Sequence, residues 1–393
     1  MPHLWPVPGR RSAAAVAVLL ASFAIPAAAQ APAPLPAAAA VQIEAAVAAE
    51  QARQKIPGLS IALAFDNRLV YSKGFGLADL EHSVPVTTRA AFRTASIAKS
   101  LTAAGALALS EAGRLDLNAP VRTYCAAWPE RHPAITTRQL LAHLAGIRHY
   151  TRSGESTGKT HYFSIADSLD LFEGDPLRHE PGSAYLYSTY GYNVAGCAIE
   201  GAAGRTYEAF MRERIFARAG MTRTRVDRIY EIVPERARGY QVLSQQAYDS
   251  LPPPLRAIAK AGEVYNADLH DTSMKVPGGG LLSTPEDLVR FAIALNTGSL
   301  LKQETVERMW TEQKTANGTA TGYGLGFGVQ PPQEGIRRIS HSGNQAGASS
   351  LLVILPEVGV AYAIMTNLED AELAPLSRSI ANVLRDTYRP RSR

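Results

Sequence analysis

The 393-residue chain carries 40 Lys and Arg against 35 Asp and Glu, a formal charge of +5. Without the two arginines of its first segment this falls to +3 (5 − 2), too weak and too dispersed for a nucleic-acid surface. Its nine histidines and two cysteines show no paired ligand spacing, so no metal or other cofactor is implied, and no solenoid period recurs.

Residues 1–29 read as a secretory signal: Arg10-Arg11, an apolar run from Ala13 to Ile25, then Ala27-Ala28-Ala29 as a small-residue cleavage site. That run is shorter than the ~20 residues a spanning helix needs, so export without retained membrane insertion is expected, into the periplasm or medium. Residues 30–40 (QAPAPLPAAAA) form an uncharged Ala/Pro linker, and the folded part begins near Val41.

A helix from Ile43 to Lys55 stops at Pro57-Gly58, and Leu59 to Phe65 and Leu69 to Phe75 form a strand hairpin about Asp66-Asn67. Ser96 to Ala112 is helical and closed by Gly113; helices between polar loops continue to about Gly298. The clearest opens on Ser283-Thr-Pro-Glu-Asp287, a capping residue followed by proline and acids in the first turn. Residues 324–329, 349–355 and 358–365 are strand-like, and Ala371 to Asp386 is a closing helix. Strands at both ends with helices between predict an α+β fold: an antiparallel sheet built from both termini and flanked by helices, with an inserted mainly helical lobe. The α/β lobe takes about 41–95 and 320–393, the helical lobe about 96–319, and a cleft between them is the natural binding site. Cys125 and Cys197 sit in apolar sequence and read as buried thiols, although export would permit a bond.

Of eight lysines, three have a serine three residues earlier: Ser96/Lys99, Ser156/Lys159 and Ser299/Lys302. The Ser-x-x-Lys tetrad can mark a serine nucleophile with its lysine partner. Gly154 to Thr160 also approaches a phosphate loop but is one residue short, so a nucleotide site is rejected. Ser156 lies in a glycine- and hydroxyl-rich loop with no following periodicity, and Ser299 follows the helix stop Asn296-Thr297-Gly298. Only Ser96 leads into an uninterrupted helix, with Lys99 one turn on among apolar residues, where desolvation favours the neutral amine of a base.

With these residues in view, Phe92-Arg-Thr-Ala-Ser-Ile-Ala-Lys99 resembles the nucleophile segment of the serine beta-lactamase-like family, which includes class C beta-lactamases, D-alanyl-D-alanine carboxypeptidases and esterases. The resemblance continues in order through Gly74-Phe-Gly-Leu-Ala-Asp-Leu80, Leu140-Leu-Ala-His143, Tyr187-Ser-Thr189, Gly278-Gly-Gly-Leu-Leu-Ser-Thr284, Tyr323-Gly-Leu-Gly-Phe-Gly328 and His341-Ser342-Gly343. It implies a beta-lactamase/transpeptidase-like fold and a secreted serine hydrolase forming an acyl-enzyme on small-molecule, peptide or ester substrates. In it Ser96 is the nucleophile, Lys99 and Tyr187 move protons, and Thr189, His341, Ser342, Gly343 and Asn344 line the substrate site, with the Ser96 and Asn344 N–H groups as oxyanion hole. Thr189 replaces the asparagine of Tyr-x-Asn and His341 replaces lysine. The two changes place the motifs nearer the mitochondrial branch of the family and its bacterial relatives, with a catalytically weak or inactive binding or scaffold protein, or a true class C beta-lactamase, as the alternatives. The second also leads us to expect a carboxylate-binding cation only below the imidazole pKa. His143, Tyr192 and Arg93 are read as packing residues, and the oligomeric state is not legible.

Overall fold

The computed structural model describes residues 34–151, 155 and 158–388. The signal segment, residues 30–33 of the linker, Gly154 and Ser156 lie outside them. Helix α1 (Ala37–Gln54) begins inside the stretch read as linker, because alanine has the highest helix propensity and Ala39, Ile43 and Val47 form a buried i, i+4 stripe.

Seven strands make one antiparallel sheet: β1 (Gly58–Phe65), β2 (Arg68–Asp79), β3 (Val84–Pro85), β4 (Gly328–Gln333), β5 (Ile336–Gln345), β6 (Ala348–Leu355) and β7 (Val360–Thr366). Their order is β3-β2-β1-β7-β6-β5-β4, so the two chain ends meet at β1 and β7, where Leu59 faces Thr366 and Ile61 faces Ile364. The two-residue period of the strands sorts the core into two layers. Leu59, Ile61, Leu63, Val353, Tyr362 and Ile364 pack under α1 and the C-terminal helix (Ala374–Tyr388), while Ala62, Ala64, Leu352, Ala363 and Met365 face the larger core of the helical region.

That larger core is threaded by α2 (Ala98–Glu111), whose residues from Ala98 to Leu107 are all buried, and by α3 (Thr189–Ala203). A further helix, α4 (Pro285–Asn296), lies mainly against β1, β2 and β7; the stripe of Leu288, Phe291, Ala292 and Leu295 is its buried face. This helix packs on the sheet although it falls inside 96–319, the stretch expected to form the helical lobe. The region between also holds short strands that sequence pattern did not show: Phe92–Arg93 and Arg225–Val226 on either side of Leu281–Ser283, and the pair Tyr240–Val242 and Val264–Asn266. Cys125 and Cys197 form a disulfide across 72 residues, which corrects the free-thiol reading and ties α3 to the segment that follows the Val121–Thr123 turn.

Candidate active site

Ser96 lies in a 3₁₀ turn, Ala95–Ile97, that precedes α2, so it stands just ahead of the first α-helical turn. The turn is held from two directions. Thr94 donates its N–H to Leu281 O at 2.9 Å, and Ser350 Oγ on β6 donates to Thr94 O at 2.7 Å. Between these anchors Ala95 adopts a left-handed φ of 46° while 1 % exposed, a conformation that costs a non-glycine residue about 1–2 kcal/mol.

Lys99, fully buried, points back along α2 at the nucleophile. Its Nζ lies 3.0 Å from Ser96 Oγ, 3.0 Å from Thr189 Oγ1 and 2.7 Å from Gly278 O. One turn on, Thr102 donates to Pro277 O at 2.6 Å, so the same face of α2 grips two successive carbonyls of the Val276–Gly279 turn. Gly278 permits this closeness: a Cβ there would stand 2.7 Å from Thr189 Cγ2 and 2.9 Å from Thr189 O. Burial, and after it the charge of Lys275, push the Lys99 pKa well below the ordinary lysine value. A neutral amine fits its neighbours by count: two N–H groups serve Gly278 O and Thr189, and the lone pair accepts from the Ser96 hydroxyl.

Tyr187 and Thr189 flank Ser188, which caps α3 by accepting from Gly191 N. The Ser188 N–H donates to His143 Nδ1 at 3.1 Å, and the His143 ring lies 4.3 Å from that of Tyr187. His143 thus packs, as expected, but it packs as the support of the tyrosine. Burial raises the Tyr187 pKa, partly offset by hydrogen bonding with Ser96, so the phenol keeps its proton. The Lys99 ammonium position lies 4.9 Å from the Tyr187 ring centroid.

On β5, Gln345 and Ala348 close the hairpin to β6, which makes Gly343↔Ser350 and His341↔Leu352 the hydrogen-bonded pairs. The N–H and C=O of Ser342 and Asn344 then point away from β6, and Ser342 O accordingly accepts from His341 Nδ1 at 2.7 Å. Gly343 faces the nucleophile turn so closely that a Cβ would meet Thr94 O at 2.5 Å and Ser96 N at 2.8 Å. Side chains at 342 and 344 therefore take the opposite face, where Asn344 bonds Asp370 and accepts from Ser349 Oγ. Of Asn344 only the backbone N–H is available to the Ser96 side.

His341 differs from expectation. Its Nδ1–H donates to Ser342 O, leaving Nε2 to accept from the Tyr323 hydroxyl at 2.9 Å. Burial, reinforced by Lys99 when charged, pushes its pKa down to about 3, so it is a neutral member of an aromatic cluster and not a carboxylate-binding cation. Arg93 is the expected structural residue, bonding Asp227, Ala346 O and His270 O. Tyr192 donates to Leu141 O from the core. Ser299 is a turn residue whose hydroxyl donates to Ala294 O. Sequence reasoning missed the Gly278 carbonyl, Tyr323 and Lys275; only the glycine run and the Tyr323-Gly segment hinted at the first two. Among the described residues no three His, Cys, Asp or Glu gather as a metal site, and no helix is long and apolar enough to cross a membrane.

The chain is similar in sequence and fold to known proteins. The family model described as beta-lactamase matches residues 43–385. The mitochondrial serine beta-lactamase-like protein LACTB of Homo sapiens is 29% identical over 394 residues, covering 77% of this chain and 69% of its own. Penicillin-binding protein 4* of Bacillus subtilis is 29% identical over 294 residues, 72% of this chain and 62% of its own. Among solved structures, the D-amino acid amidase of Ochrobactrum anthropi SV3 in complex with D-phenylalanine superposes with a TM-score of 0.76 at 25% identity, over 89% of this chain and 99% of that one.

Proposed function

The chain belongs to the beta-lactamase family of serine hydrolases, and from that premise we propose that it is an exported hydrolase of peptide, amide or ester bonds that works through an acyl-Ser96 intermediate. The observation that carries this reading is the fully buried Lys99 Nζ at 3.0 Å from Ser96 Oγ with its pKa driven down. Neutral Lys99 takes the Ser96 proton as Oγ bonds to the carbonyl carbon. The oxyanion forms against the Ser96 and Asn344 N–H groups. Tyr187, kept protonated by burial, donates to the leaving group and is reprotonated from Lys99. Water then cleaves the ester by the reverse sequence.

Two features narrow the substrate. Neutral His341 offers no cation to the carboxylate of a beta-lactam, which argues for linear acyl donors. Thr189, whose change from asparagine motivates the inactive-scaffold reading, still supplies Lys99 with a partner at 3.0 Å, which favours turnover. Export is supported by the signal-like first segment and by a disulfide of the kind that persists in oxidising compartments. The test is a hydrolysis panel of short p-nitrophenyl esters, D-aminoacyl amides, D-Ala-D-Ala peptides and nitrocefin. Turnover of the linear donors is expected to vanish in Ser96→Ala and to fall about 100-fold or more in Tyr187→Phe. Variants that match the wild type would refute the assignment.

A further inference from the structure

Two polar side chains near the nucleophile turn make no hydrogen bond or ion pair among the described residues, and neither touches the reacting atoms in the chemistry above. Gln345 is 7% exposed, yet among the described residues neither its amide nitrogen nor its amide oxygen has a hydrogen bond. Lys275 is 4% exposed and makes no hydrogen bond or ion pair among the described residues; its Nζ lies 5.7 Å from the centroid of the Tyr150 ring. Nearly all buried polar groups are paired, so the unpartnered Gln345 amide and a buried lysine without a hydrogen bond need an explanation.

Their placement supplies one. Gly343 sits over the Ser96 N–H, and on that face of β5 His341 lies two residues before it and Gln345 two residues after. At the rise of a strand each is about 7 Å from Gly343, in opposite directions. Lys275 ends the Thr272–Lys275 turn, and its side chain runs beside Ala95: a Cβ on Gly279 would touch both Lys275 Cδ at 3.5 Å and Ala95 C at 3.7 Å. Tyr187 clusters with His143, Tyr185, Tyr323 and His341, so the leaving group departs on the His341 side. The Gln345 and Lys275 side is left for the acyl part. Nearby acids are committed elsewhere: Asp227 to Arg93 and Thr272, and Glu369 to the Gly347 N–H.

Building on the proposed acyl transfer, we propose that Lys275 and Gln345 form an acyl-side anion subsite, which selects donors carrying a carboxylate about five bonds from the scissile carbonyl, the reach set by the strand spacing. The Lys275 ammonium and the Gln345 NH₂ donate to the carboxylate. Burial brings the Lys275 pKa down to about 7, helped by Arg93 and opposed by Asp227 and Glu369, so the subsite is charged in mildly acidic solution.

The test compares p-nitrophenyl hydrogen adipate with its methyl ester at pH 6.5. Losing the Lys275 charge also acts on Lys99, so the readout is the ratio of kcat/KM between the two substrates, in which a common effect on the base cancels. The wild type is expected to prefer the acid, Lys275→Met to lower the ratio about tenfold or more, and Gln345→Leu to lower it severalfold. Lys260→Met, an exposed lysine, controls for net charge. A ratio unchanged in Lys275→Met overturns the subsite. Binding measured by calorimetry on the Ser96→Ala protein separates the two readings. Monomethyl adipate bound more tightly than dimethyl adipate, with the difference lost on adding Lys275→Met, upholds the subsite even if neither ester is turned over. In that case only the hydrolase reading fails. Equal binding of the two adipates overturns the subsite.

Discussion

Replacing Gly343 by alanine adds one methyl group between β5 and the nucleophile turn. The new Cβ would lie 2.5 Å from Thr94 O and 2.8 Å from Ser96 N, where ordinary contacts begin at 3.4 Å. Relief requires the two segments to part by 0.9 Å at Thr94 (3.4 − 2.5) and 0.6 Å at Ser96 (3.4 − 2.8). Neither side yields easily, since Ser350 pins Thr94 and β5 is paired with β6 through Gln345. Overpacking of this kind costs about 1–3 kcal/mol of stability. A displacement near 1 Å between nucleophile and oxyanion donors costs about 100-fold in rate. The assay is kcat/KM for p-nitrophenyl acetate, run beside a thermal melt. Gly343→Ala is expected to remain folded with a modestly lower Tm and to lose about two orders of magnitude in kcat/KM. A folded variant within threefold of the wild type would mean that Gly343 and Ser96 do not bound a common oxyanion site.

The fold should be sensitive to acid through its histidines. Burial pushes His341 and His270 down to about 3 and His143 well below its ordinary value, whereas all three take up protons near 6.5 once unfolded. Their contribution is therefore fully present above pH 6.5 and lost as pH falls toward 3, by up to about 4 kcal/mol per pH unit near pH 5 from three protons. Urea titrations at pH 7 and pH 5 check this, and an unchanged midpoint would contradict the buried neutral state. Reducing the Cys125–Cys197 bond, which spans 72 residues, should lower stability by up to about 4 kcal/mol, read as a shift of the urea midpoint.

What the sequence disclosed was local. Ser96 and Lys99 could be singled out because a single apolar helix follows the serine and brings the lysine to its side, and the hairpin of β1 and β2 shows as two strand-like runs about an Asp-Asn turn. Residue pattern alone does not show β5 as a strand, since Arg337, Arg338, Ser340 and Asn344 leave little apolar alternation and Gly343 has no side chain; only the family resemblance implies that His341 lines the cleft from a strand. It is a strand because tertiary contacts with β6 and the nucleophile turn stabilise it. The charge of His341 was misjudged for a related reason: its pKa is set by burial against Tyr323 and its neighbours, which are distant in the chain. Gly278 O, Lys275 and the disulfide likewise arise from approaches of segments far apart, whereas Ser299 and Arg93 carried enough local context to be placed.

The central claim is that a neutral Lys99 makes Ser96 a nucleophile. Intact-protein and peptide mass spectrometry after treatment with a fluorophosphonate, across pH, tests it most directly. One adduct per chain on the peptide bearing Ser96, forming faster as pH rises through the depressed Lys99 pKa and abolished in Lys99→Met, is the expected result. No adduct on the folded protein, an adduct on another serine, or an unchanged rate in Lys99→Met would contradict it.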